Sequence, residues 1–83
     1  MNIIYIVKNF SMNDGCVEWD EIVAYASKED AKKHFNKCVE EAKKCVKDLG
    51  WEEEIIGSYY CVNEKGNFTH NREEVELITT TLL

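Results

Sequence analysis

Residues 3–26 read IIYIVKNFSMNDGCVEWDEIVAYA, with two apolar segments on either side of Asn13-Asp14-Gly15. Both segments are rich in β-branched and aromatic side chains, and Asp-Gly between two such runs is a strong signal for a two-residue hairpin turn. The stretch therefore predicts two antiparallel strands, residues 3–10 and 16–26. With Asp14 and Gly15 as the turn, the pairs across the hairpin would be Met12 with Val17, Phe10 with Trp19, Lys8 with Glu21, Ile6 with Val23 and Ile4 with Tyr25.

The segment after the hairpin carries the start and stop signals of a helix. Ser27 is a suitable N-cap, and Gly50 is a suitable residue to end the last turn. Between them an apolar stripe recurs at helical spacing. Its members are Ala31, Phe35, Cys38, Val39, Ala42, Cys45, Val46 and Leu49. We expect this stripe to pack on the hairpin face that carries Ile3, Tyr5, Val7, Ile22 and Ala24.

The rest of the chain predicts a second hairpin. An acidic connector, Glu52-Glu53-Glu54, precedes a strand at residues 55–62, a turn at 63–67 and a final strand at 68–79. Two hairpins joined by one helix favour an α+β fold, with a four-stranded antiparallel sheet of order ββαββ and one amphipathic helix packed on one face. We expect residues 1–83 to form a single domain.

Charge and composition exclude several classes of function. Acidic residues outnumber basic ones by 16 to 10, and a net charge of −6 opposes attraction to nucleic acid or anionic lipid. The imbalance is uneven, because residues 28–48 hold seven lysines against five acids. The apolar run at residues 3–7 is too short to span a membrane, and no secretory signal accompanies it. We therefore expect a cytoplasmic protein whose four cysteines are reduced thiols.

One helix can cover only one face of a sheet, and the predicted hairpin has apolar side chains on both. The face left uncovered would carry Ile4, Ile6, Phe10, Met12, Val17, Trp19, Val23 and Tyr25. Contiguous apolar patches usually mark interaction sites. We expect this face to form a homodimer or to dock another protein.

A second candidate interaction surface is acidic. It comprises Glu18, Asp20, Glu52, Glu53, Glu54, Glu73, Glu74 and Glu76. Such a surface could compete for a basic groove on a protein partner, whereas the plainer interpretation is a solvated face that keeps the protein soluble.

Catalytic and metal-binding patterns are weak. His34 and Cys38 are one helical turn apart, but two ligands are too few for structural zinc and no Cys-x-x-Cys pair is present. As a nucleophile and base, the same two residues would lack an oxyanion donor and an orienting group. His70 with Glu74 or Glu76 could serve acid–base chemistry, although a polar strand surface explains them equally well. We expect no metal, no cofactor and no enzymatic activity.

In length, acidity and strand–strand–helix–strand–strand order, the chain resembles the small single-domain proteins encoded by phages and mobile elements, among which are the anti-CRISPR inhibitors. The resemblance implies stoichiometric binding to a host defence complex, often at a nucleic-acid site or an assembly surface. The net negative charge separately predicts no direct contact with the nucleic acid itself. The alternative is a protein that sequesters a small molecule or nucleotide in a pocket at a dimer interface, to which Tyr59, Tyr60, His70 and Arg72 could contribute.

Overall fold

The first hairpin turns at Asp14 and Gly15, whose φ angles are 52° and 77°. Positive φ at both central residues is what a type I′ turn requires, and Asp-Gly tolerates it well. In the computed structural model, which describes residues 2–82, this turn joins strand β1 (Asn2–Asn13) to strand β2 (Cys16–Tyr25). The predicted hairpin is confirmed.

Helix α1 (Lys28–Leu49) begins and ends where the capping signals predict. The amide of Asp30 donates to Ser27 Oγ at 3.3 Å, and Gly50 adopts a left-handed φ of 70° while its amide donates to the Val46 carbonyl. The apolar stripe is buried at Ala31, Cys38 and Ala42. Its last member is an exception, because Leu49 is 63% exposed. No helix in residues 2–82 has the length and apolar character needed to cross a membrane.

The chain after the helix forms three strands: β3 (Glu52–Ile56), β4 (Tyr59–Asn63) and β5 (Arg72–Leu82). With β1 and β2 they make one antiparallel sheet in the order β2-β1-β5-β4-β3. The antiparallel α+β fold is confirmed, but the prediction of four strands in the order ββαββ is wrong. Gly57, at φ 57°, starts a turn inside the predicted strand 55–62, and the acidic run belongs to β3 rather than to a connector.

A β-bulge in the first hairpin changes the predicted pairing. Met12 pairs with Val17 as expected, but the register shifts between Ser11 and Met12, so that Ser11 lies opposite Trp19. Glu18 is the extra residue, and a one-residue shift moves every following side chain of β2 to the other face. Lys8 is therefore opposite Ile22 and not Glu21, and the predicted position of Ile22 and Ala24 beneath the helix is wrong.

We call the side of the sheet against which α1 packs the helix face and the other side the open face. The core lies at the helix face, where Val7, Tyr60, Val62 and Val75 are buried. Ala42 of the helix packs with Tyr60 and Val62, and a shell of partly buried side chains surrounds them. This shell consists of Val39, Cys45, Val46 and Trp51.

Candidate functional site

The predicted apolar interface is divided between the two faces. Ile4, Ile6, Phe10, Met12 and Val17 lie on the open face, in register with residues of β2 or β5 on the same side. The assignment of Trp19, Val23 and Tyr25 to that face is wrong, because the bulge at Glu18 turns them towards the helix. Tyr25 shows this directly, since its hydroxyl lies 3.0 Å from His34 Nδ1 on α1.

The eight predicted acidic residues do not form one continuous surface either. Glu53 lies on the helix face, where its carboxylate accepts a hydrogen bond from the hydroxyl of Tyr60, and Glu73 lies on the same side. Glu18 is at the bulge. The open face carries the remaining five, which are Asp20, Glu52, Glu54, Glu74 and Glu76. Whether any of them binds a partner stays a prediction.

A cleft of about 270 Å³ opens on this face where β2, β1, β5 and β4 run side by side. It is lined by Lys8, Phe10, Asp20, Tyr59, Glu74 and Glu76. Two aromatic rings and three carboxylates thus share one concavity with a single ammonium group. This cleft is the candidate functional site.

Arg72 contacts Phe10 and Glu74, two of the residues that line the cleft. Its guanidinium carbon is 4.9 Å from the centre of the Phe10 ring and 4.8 Å from that of Phe68, so the cation is stacked between two aromatic faces. Its Nε donates to Glu74 Oε2 at 2.9 Å, and Nη1 donates to the Phe68 carbonyl at 3.1 Å. Stacking combined with directed hydrogen bonds is a role for which arginine is better suited than lysine.

The carboxylates of the cleft differ in the hydrogen bonds and ion pairs that they already form within the chain. Glu74 accepts hydrogen bonds from Arg72 and from the Tyr59 hydroxyl. Burial acts to raise the pKa of Glu74, but these two hydrogen bonds and the Arg72 charge outweigh it and hold the pKa below its ordinary value. Within residues 2–82, neither Asp20 nor Glu76 forms an ion pair or accepts a side-chain hydrogen bond. Those two carboxylates are free to meet an incoming cation.

Glu73, the residue before Glu74 in the chain, lies on the helix face and has the opposite electrostatic environment. Glu73 is half-buried and accepts hydrogen bonds from Ser11 Oγ at 3.3 Å and from Cys45 Sγ at 3.7 Å. Burial raises its pKa, and the two hydrogen bonds offset this only in part. Burial also raises the pKa of Cys45 to about 11, so that this thiol keeps its proton and acts as a donor.

Because the pKa of Glu73 is raised and that of Glu74 is lowered, replacing each glutamate by glutamine should change stability in opposite directions. Because the pKa of Glu73 is raised on folding, its contribution to stability is present below the ordinary value of 4.5 and is lost as the pH rises through the folded pKa. Glu73→Gln should therefore increase the free energy of unfolding at pH 7, by up to about 1 kcal/mol, and this gain should shrink as the pH falls through the raised folded pKa and vanish below pH 4.5. Urea unfolding across this pH range measures the difference.

Glu74→Gln is the matched control, since it should lower the free energy of unfolding at pH 7. The stability contributed by Glu74 is present above pH 4.5 and is lost as the pH falls through its depressed folded pKa. Equal destabilisation by both substitutions at neutral pH would contradict the two environments described above.

The residues considered for catalysis or metal binding are buried or make contacts within the chain. His34 Nδ1 is within hydrogen-bond distance of the Tyr25 hydroxyl, and His34 Nε2 lies 3.2 Å from Glu21 Oε1. Cys38 is buried, and burial raises the pKa of its thiol. His70 lies at the hairpin tip, where its carbonyl accepts from the Gly15 amide and its ring is 3.0 Å from Thr69 Oγ1. Among the described residues no group of three His, Cys, Asp or Glu side chains is placed to hold a metal ion.

Within one chain, the four residues expected to contribute to a pocket at a dimer interface do not all lie together, although Tyr59 and Arg72 both donate hydrogen bonds to Glu74. Tyr59 and Arg72 lie on the open face, Tyr60 is on the helix face, and His70 is in the turn before β5. The predicted apolar and acidic surfaces do not include Lys8, Tyr59 or Arg72, although Tyr59 and Arg72 belong to the predicted dimer-interface pocket. The alternation of Arg72, Glu74 and Glu76 places all three on one side of a strand, and it is the sequence signal that groups Arg72 with two carboxylates of the cleft.

Comparison of the chain with protein-family models, with curated proteins and with solved structures finds no match.

Proposed function

We propose that the protein is a non-enzymatic binding protein that docks the charged part of its open sheet face on a basic surface of a protein partner. The observation that carries this proposal is the pair of carboxylates, Asp20 and Glu76, that share the cleft with Phe10 and Tyr59 and have no internal partner. A lysine or arginine of the partner would find both charge and aromatic surface there.

The distribution of charge supports a basic partner. The open face holds five acidic residues against Lys8 and Arg72, whereas the helix carries seven lysines against five acids. A protein with such a polarised surface orients a basic partner towards its sheet before contact, and this raises the association rate.

The order of the side chains around Arg72 also supports the open face as the binding surface. Arg72 holds Phe10, Phe68 and Glu74 in place before any partner arrives. Side chains that are already ordered lose less conformational entropy on binding. Phe68 is 47% exposed at the margin of this cluster, and large aromatic side chains often contribute strongly to binding when a partner covers them.

Basic surfaces that can be blocked by carboxylates are common on proteins that handle nucleic acid. Together with the resemblance to anti-CRISPR proteins, this leads us to propose a phage-type inhibitor that binds such a host defence complex stoichiometrically. The protein would occupy the site by charge and shape and would not turn over a substrate.

Charge reversal tests this proposal. The double variant Asp20→Lys with Glu76→Lys should weaken partner binding about tenfold or more, because each reversal replaces an attraction by a repulsion worth about 1 kcal/mol. The measurement is affinity capture of a tagged protein from a bacterial lysate, followed by titration of the retained protein at about 0.1 M salt, where surface charges still act over about 10 Å.

The matched control is Glu40→Lys with Asp48→Lys, which makes the same change in net charge on exposed positions of the helix. It should leave binding within about twofold of the wild type, because these positions lie away from the open face. Equal binding by both double variants and the wild type would show that the cleft is not the contact surface. Equal weakening by both would show that only net charge matters.

A further inference from the structure

Strand β5 extends beyond its neighbour β4. The two strands are paired over residues 72–76 of β5. The last contact comes from the turn before β4. There the Leu77 amide donates to the Ser58 carbonyl, and Ser58 Oγ donates to the Leu77 carbonyl. Residues 78–82 are paired with β1 on one side only. Within the described part of the chain, no strand covers their other side, which we call the β5 free edge.

The β5 free edge lacks the features that usually protect exposed strands. The outer strand β2 carries Glu18, Asp20 and Glu21 and a bulge, and the opposite outer strand β3 carries three consecutive glutamates. Charges and bulges of this kind prevent edge-to-edge pairing. The sequence Ile78-Thr79-Thr80-Thr81 has no charge, glycine or proline, it is β-branched throughout, and its register with β1 is unbroken.

The surroundings of the β5 free edge are also uncharged. Residues 2–7 of β1, 22–25 of β2 and 77–82 of β5 contain no charged side chain, although 31% of the whole chain is charged. Each copy has a net charge of −6, and two copies that met through residues 16–21 of β2 or through β3 would bring carboxylates together. At the neutral end a second copy meets no such repulsion.

We propose that two copies of the chain pair through their β5 free edges and form a homodimer with one continuous ten-stranded sheet. The two β5 strands would run antiparallel about a two-fold axis, with Thr80 opposite Thr80 of the second copy and Thr79 opposite Thr81. Such an isologous contact uses the same surface on both copies and leaves neither β5 edge open. Main-chain hydrogen bonds along the free edge would supply the pairing, as in strand addition.

Position 80 is the self-opposed position of this pairing, so it provides a charge test. Thr80→Lys and Thr80→Glu should each raise the dimer dissociation constant about tenfold or more, because like charges would face each other across the axis. An equimolar mixture of the two variants should recover the dimer, since Lys and Glu would then be opposite. Sedimentation equilibrium on the wild type, each variant and the mixture measures all four states.

Ile22→Lys is the control for a dimer that uses the open face instead of the edge. Ile22 is 64% exposed on β2, two strands and about 10 Å from β5, so this substitution should leave an edge-paired dimer intact. If neither Thr80 variant dimerises by itself and the mixture of the two does, edge pairing is established. A wild type that is monomeric at millimolar concentration, or a dimer that Ile22→Lys abolishes and Thr80→Lys does not, would overturn the proposal.

Discussion

Arg72→Ala should lower the free energy of unfolding by about 2–3 kcal/mol at pH 7. The substitution removes two cation–π contacts, each worth about 0.5–1 kcal/mol, and a charge-assisted hydrogen bond to Glu74. It also leaves Glu74 partly buried with only the Tyr59 hydroxyl as a partner. Urea denaturation followed by far-UV circular dichroism measures the loss.

The pH dependence of this loss identifies its source. Since Arg72 helps to hold the Glu74 pKa below its ordinary value of 4.5, the stability that this pair contributes is present above pH 4.5 and is lost as the pH falls through the folded pKa. The difference between wild type and Arg72→Ala should therefore shrink at acid pH. Arg72→Lys keeps the charge but loses the stacked planar fork, and it should recover less than half of the loss. Full recovery by lysine would show that charge alone matters.

Ala42→Leu should destabilise the protein by about 2–3 kcal/mol. Ala42 is 2% exposed and packs directly on Tyr60 and Val62, so the helix approaches the sheet at a position with room only for a methyl group. Adding three carbons there forces the helix outward or forces side chains from their preferred rotamers. Thermal or urea unfolding of the variant measures the cost.

Ala24→Leu is the matched control, and it also tests the register of the hairpin. The bulge places Ala24 on the open face opposite Ile6, where it is exposed, so the larger side chain should change stability by less than about 0.5 kcal/mol. Without the bulge Ala24 would lie beneath the helix, and Ala24→Leu would then cost as much as Ala42→Leu. Similar losses in the two variants would therefore contradict the observed register.

Much of the fold could be predicted because its signals are local. The turn at Asp14-Gly15 and both helix ends, Ser27 and Gly50, depend on backbone conformations and hydrogen bonds within a few residues. The predicted strand at residues 55–62 does not include the split at Gly57-Ser58, although that pair is a turn signal, because the flanking apolar pairs resemble one continuous strand. The consecutive acids Asp20-Glu21, which interrupt the alternation in β2, were the available hint of the bulge.

The candidate site was harder to predict than the fold. Asp20, Glu74 and Glu76 were in the predicted acidic set, but nothing local indicated that they share a cleft with Lys8, Phe10 and Tyr59. The cleft joins residues from four strands, and its membership depends on the registers of three neighbouring pairs at once. One shifted residue at Glu18 was enough to move Trp19, Val23 and Tyr25 out of the predicted open surface.

The first hairpin, the helix with its caps, and the contrast between a lysine-rich helix and an acidic remainder follow from the amino-acid sequence alone, because each depends on residue types or on contacts between near neighbours. The five-stranded order, the faces of β2, the stacking of Arg72 between Phe10 and Phe68, and the open edge of β5 become visible only once the chain is folded. The physical reason is that strand pairing joins segments distant in sequence, and a side chain's face changes with every one-residue shift of register.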